Sequence, residues 1–115
     1  MKRYHAPNAK LISLNRQYKR NITADKIKQF IIPSDFYRHE LPNASLKKHG
    51  WNDGGLCPFH ADNHAGSFRV NIITGAFKCF ACGAAGSDVI AFTMTVYGLR
   101  FVDALAKLVD DWGLL

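Results

Sequence analysis

All three cysteines of this chain fall into one pattern. Cys57-Pro58-Phe59-His60 is followed, eighteen residues on, by Cys79-Phe80-Ala81-Cys82. Each unit sets two donors across a tight turn, and four such donors complete a tetrahedral shell around Zn²⁺. An odd thiol count argues against a purely disulfide framework, and in a reducing compartment thiols stay available to metal. Three thiolates and one imidazole leave no position for water, so the predicted site is structural rather than catalytic. Iron can occupy such a set, but zinc is its usual occupant in small ribbons. His64 is an alternative fourth donor, and the two-residue gap from Cys57 favours His60. His5, His39 and His49 have no ligand spacing and read as surface residues.

A metal staple matters here because 115 residues make one domain with a modest core. The formal charge of +6 and a pI near 9.4 point to a polyanionic partner, with nucleic acid the first candidate. No apolar run of about 7–15 residues follows Met1-Lys2-Arg3, so a secretory leader is not expected. No stretch approaches the length of a membrane span. The expectation is a cytoplasmic protein with no membrane partner.

Residues 1–22 carry Lys2, Arg3, Lys10, Arg16, Lys19 and Arg20 and no acid, which reads as a flexible basic arm able to touch phosphate. The folded domain is then 23–115. Thr23 is placed to cap a helix with Asp25 in its first turn and Ile27, Phe30 and Ile31 on one face, ended by Pro33. A short helix over Ser34 to Leu41 follows, stopped by Pro42. Residues 42–55 read as loop with at most one short strand. Trp51 is assigned to the core, with base stacking as its role if exposed.

Ser67 to Ile73 alternates as a strand, with Phe68, Val70 and Ile72 on one side. Thr74-Gly75 suits a hairpin turn, and Ala76 to Phe80 returns with Phe77 and Cys79 on one side and Ala76, Lys78 and Phe80 on the other. The hairpin thus carries Cys79 back towards Cys57 and His60. Gly83 follows the second knuckle, where positive φ is common. Ser87 is read as the cap of a helix supported by Asp88 and ended by Gly98. A last helix puts Phe101, Ala104, Leu105, Leu108 and Trp112 on one face, and both helices are expected to cover one face of the sheet. The fold class is α+β: a small zinc ribbon with an antiparallel hairpin at about 67–80, flanked by helices.

Leu56-Cys57-Pro58-Phe59-His60, Ser67-Phe68, Phe77-Lys78-Cys79-Phe80-Ala81-Cys82-Gly83 and Gly86 to Phe92 together resemble the zinc-binding domain of bacterial-type DNA primases. The similarity runs on through Tyr97-Gly98-Leu99-Arg100-Phe101 and covers roughly 23–113, leaving the basic arm outside. One departure is Ala65-Gly66 before Ser67, where the family usually has proline. The resemblance implies a structural zinc and a role in recognising single-stranded template and positioning initiating nucleotides. On that basis the polar side of the hairpin is the expected DNA surface. Arg69 and Lys78 serve phosphates, Phe80 a base face and Asn71 hydrogen bonding.

Primer synthesis itself needs clustered carboxylates for Mg²⁺. Of the nine acids only Asp110 and Asp111 are adjacent, and neighbours on a helix diverge by about 100°. The chain is therefore not expected to be an enzyme on its own. It is expected to bind single-stranded DNA for a primase, polymerase or helicase on another chain, an arrangement that suits a mobile element. The alternatives are a protein–protein adaptor on a helicase or polymerase, and a duplex-binding regulator. No basic recognition helix supports the last.

Overall fold

The computed structural model describes residues 23–114, so the arm expected over 1–22 lies outside the described residues. Helix α1 (Ala24–Phe30) begins where Thr23 accepts the Lys26 N–H on its hydroxyl. Ile27 and Ile31 turn inward one helical turn apart, but Phe30, expected beside them, is 63% exposed. The helix stops at Phe30 and Ile31 is already extended, so the buried stripe follows the four-residue spacing and not the three-residue one. Pro33 both stops α1 and opens α2 (Pro33–Glu40), where its missing N–H costs nothing at the first helical position.

The sheet is a four-stranded antiparallel meander. Its strands β1 (Trp51–Asp53), β2 (Phe68–Asn71), β3 (Phe77–Cys79) and β4 (Ala85–Gly86) lie in chain order. The expected hairpin is its centre, with Arg69 opposite Lys78 and Phe68 opposite Cys79. Strand β1, three residues long, is the one short strand allowed within 42–55, and the two-residue β4 has no counterpart in the sequence pattern. At β4, Gly86 lies so close to the Phe77 ring that any Cβ there would collide with it.

Alternation divides the sheet sharply. Phe68, Val70, Phe77 and Cys79 are buried and face the helices. Helix α3 (Val89–Tyr97) covers this face, capped by Asp88, which accepts the Ala91 N–H at 2.8 Å. The cap is one residue later than Ser87, because the Asp88 carboxylate both caps and meets Lys28 at 3.4 Å. Phe92 sits at the centre, its ring 5.2 to 5.6 Å from those of Phe36, Tyr37, Phe59 and Phe77, all steeply inclined to it. Tyr37 is fully buried and donates its hydroxyl to the Gly75 carbonyl, tying α2 to the hairpin turn.

Gly98 adopts φ 65° and ends α3, after which α4 (Phe101–Asp111) sets off at 105°. Ala104, Leu105 and Leu108 are buried as expected and Trp112 stacks on Phe36 at 6.1 Å. Phe101, at the first turn, is 46% exposed instead of packed. No single helix among the described residues is long and apolar enough to cross a membrane.

Candidate metal centre and the sheet face

The meander brings the two knuckles together at one end of the sheet. Beyond β1, the Gly54 N–H donates to the Phe68 carbonyl at 2.8 Å, so the chain leaves alongside the start of β2. Cys79, the last residue of β3, lies opposite Phe68, and Cys57 arrives three residues after Gly54 at the same end. The second knuckle closes when the Gly83 N–H reaches the Cys79 carbonyl at 2.9 Å, with Gly83 at φ 82°.

Cys57, His60, Cys79 and Cys82 present ligand atoms that all lie within 4.8 Å of one another. Cys57 Sγ is 3.9 Å from Cys82 Sγ, and Cys79 Sγ is 3.9 Å from His60 Nδ1. A tetrahedron with Zn–S bonds of about 2.3 Å has S···S edges of about 3.8 Å, so the spacing fits one zinc ion. His64, the alternative donor, is exposed and outside this set. Burial pushes the Cys57 thiol up to about 12. Burial acts on Cys79 in the same sense, but the N–H groups of Cys82 and Ala81 hold it below the ordinary thiol range. A divalent cation among the three favours the thiolate at each.

Asp62 is a participant that the sequence reading missed. One carboxylate oxygen accepts the Cys57 N–H at 2.8 Å, and the other lies 3.7 Å from His60 Nε2. The Cys57 N–H, with help from His64, holds the Asp62 carboxyl below its usual range. An imidazole that binds metal through Nδ1 carries its proton on Nε2, the atom facing Asp62. Asp62 thus anchors the Cys57 backbone and faces the Nε2 side of the His60 ring. An acid two residues beyond a ligating histidine is the signal that could have found it. Phe59, between the two donors, packs its ring 5.7 Å from Phe68 and 5.3 Å from Phe77.

The opposite face of the sheet carries the residues expected to meet DNA. Arg69 and Lys78 stand directly across from one another, and Phe80 is 71% exposed with Lys78 Nζ 5.2 Å from its ring centre. Neither cation has an ion-pair partner among the described residues. Asp53, opposite Arg69 on β1, accepts the Gly55 N–H on its carboxylate. Asn71 shares the face, but its side-chain oxygen accepts the N–H groups of Ile73 and Thr74 and so builds the hairpin turn. Trp51 is not in the core. It is 46% exposed and lines, with Arg69, Lys78 and Phe80, a shallow depression of about 250 Å³. Its neighbour Asn52 takes the buried position on β1, and that one-residue phase puts Trp51 outside.

Comparison with known proteins agrees with this architecture. The family model described as the CHC2 zinc finger, the zinc ribbon of DnaG, matches residues 22–115. The DNA primase of Helicobacter pylori strain J99 is 49% identical over 69 residues, 60% of this chain and 12% of that protein. The DNA primase of Rickettsia prowazekii is 40% identical over 81 residues, 70% of this chain and 13% of that protein. The crystal structure of the Aquifex aeolicus primase zinc-binding and RNA polymerase domains superposes with a TM-score of 0.63 at 30% identity. That match covers 77% of this chain and 21% of the Aquifex one. The chain therefore spans about an eighth of the length of the curated relatives it matches, and the matched part is the zinc domain alone. With its four donors arranged for one zinc ion, the chain belongs to the CHC2 zinc finger family, the zinc-binding domain of DNA primases.

Proposed function

We propose that the outer face of the sheet binds single-stranded template DNA and presents it for primer synthesis by a catalytic primase unit on another chain. The observation that carries this reading is the Arg69–Lys78 pair. Like charges directly opposite on neighbouring strands destabilise a sheet, and neither cation closes an ion pair among the described residues: Asp53, across from Arg69 on β1, accepts the Gly55 N–H instead. A phosphate between them removes the repulsion. Trp51 and Phe80 flank the pair with exposed rings, and every base has a face that stacks on an aromatic side chain. Asn71, whose oxygen builds the turn at the end of the hairpin, offers its amide nitrogen for hydrogen bonding to the strand.

The Aquifex primase is described as having zinc-binding and RNA polymerase domains, and this chain matches 21% of it. In this reading phosphoryl transfer belongs to the partner unit. The direct test is titration of Trp51 fluorescence with single-stranded and duplex oligonucleotides, with Trp51→Phe as the control for Trp112. Saturable quenching by single strands supports the proposal, and equal response to duplex or none to either removes it. For the partner, labelled primer formation is measured with a primase polymerase unit, with and without the chain. Stimulation is expected, and the chain alone should make no primer.

A further inference from the structure

The loop before Trp51 is built with more hydrogen bonds than a connection needs. The Ser45 N–H donates to the Asp53 carbonyl at 3.0 Å and closes the segment into a ring. Inside it lies Asn52, only 1% exposed. Its side-chain oxygen accepts the Lys48 N–H at 2.8 Å, and its nitrogen donates to the carbonyls of Lys48 at 2.8 Å and Gly50 at 3.0 Å. The Gly50 carbonyl also accepts the Ile72 N–H at 2.9 Å, which moors the loop to β2. A buried carboxamide is tolerated only when satisfied, and here its three hydrogen bonds all shape this one loop. Lys47, Lys48 and His49 are consecutive exposed residues of the loop. Neither lysine has a carboxylate partner among the described residues.

The loop's position relative to the outer face follows from the register. Phe80 lies beside Ser67, Lys78 opposite Arg69, and Trp51 opposite Asn71. Ser67 to Asn71 spans about 13 Å at about 3.3 Å per residue. A stacked single strand advances about 3.4 Å per nucleotide, so the sheet covers about four nucleotides. A strand following this row from Phe80 past Trp51 leaves the sheet beside Gly50, at the end where the loop is moored.

We propose that the loop extends the template surface beyond the sheet, with Lys47 and Lys48 holding the phosphates of nucleotides that have already passed Trp51. The inference rests on the template reading above and adds a second, spatially distinct contact to it. The loop's service is therefore length-dependent: a strand long enough only for the sheet does not reach it.

The test uses the full chain and oligodeoxythymidylates of about four and about ten nucleotides, with affinity measured over a salt series. The Lys47→Ala/Lys48→Ala double variant should lower the log–log salt slope on the long strand by about 1.4, at about 0.7 per lost phosphate contact. On the short strand its slope should match the parent's. Arg69→Ala/Lys78→Ala should lower the slope on both. Should the loop variant keep the parental slope on the long strand while the sheet variant loses it, the extension is wrong and the template face stands. Equal losses on both strands by the loop variant also overturn the extension, because the loop then acts without a position. If the sheet variant changes neither, the template reading itself falls.

Discussion

The two faces of one small sheet have opposite chemistry, although their residues alternate along the same strands. On the inner face Phe68, Val70, Phe77 and Cys79 are at most 1% exposed, packed under Phe92 and joined to the metal donors. On the outer face Arg69 and Lys78 oppose each other, with Trp51 and Phe80 left in water. Burying a large apolar side chain stabilises by about 1.5–3 kcal/mol, so the inner face and the metal account for the fold. The outer face contributes little to folding and carries a repulsion instead. Stability and the proposed recognition are thus separated by a single residue of phase, and a variant on the outer face should leave stability intact.

The largest effect expected from breaking that separation is at Cys79, which belongs to both the inner face and the metal set. Cys79→Ser should lose zinc and cooperative unfolding together, since metal-binding free energy is folding free energy in such small domains. A well-folded, metal-free chain after chelation, seen by circular dichroism and elemental analysis, would contradict this. Phe92→Ala should cost about 3–5 kcal/mol by denaturant unfolding with zinc still bound, because it empties the centre of the aromatic cluster. Asp62→Asn is smaller: the fold persists, and zinc affinity in a chelator competition should fall about 10–100-fold. An unchanged affinity would show that Asp62 only closes the turn. At the bottom of the scale, Arg69→Ala and Lys78→Ala should each shift stability by no more than about 0.5 kcal/mol. Each should nonetheless lower the salt slope for single strands by about 0.7. A stability loss comparable to Phe92→Ala would erase the distinction between the faces.

The four metal donors, the hairpin and the four helices among the described residues were legible because each has a local signature. Ligand spacing, period-two alternation and caps all act within a few residues. What was not legible depended on partners distant in sequence. Trp51 has the size of a core residue, and only the pairing of β1 with β2 decides that Asn52 points inward. Strand β4 is two residues long and exists because β3 is there to pair with it. Phe30 and Phe101 look like core positions by helical spacing, yet each lies at the end of its helix and extends past the layer it was expected to join. The second task of Asn71 was equally hidden, since its oxygen accepts N–H groups from Ile73 and Thr74 in the turn that follows.

Phe59 lies between the first knuckle's two donors and packs against rings from β2, β3 and α3. The metal loop and the core therefore share a side chain and have no seam along which one could open alone. In hydrogen-exchange terms they form one unit. Withdrawing the ion should release the amides of β2, β3 and α3 at a common rate, and with them the frame that holds Arg69 and Lys78 in opposition. Under the proposed function, template affinity and metal content would then rise and fall as a single variable, making zinc supply a control on the proposed template surface from the far side of the sheet.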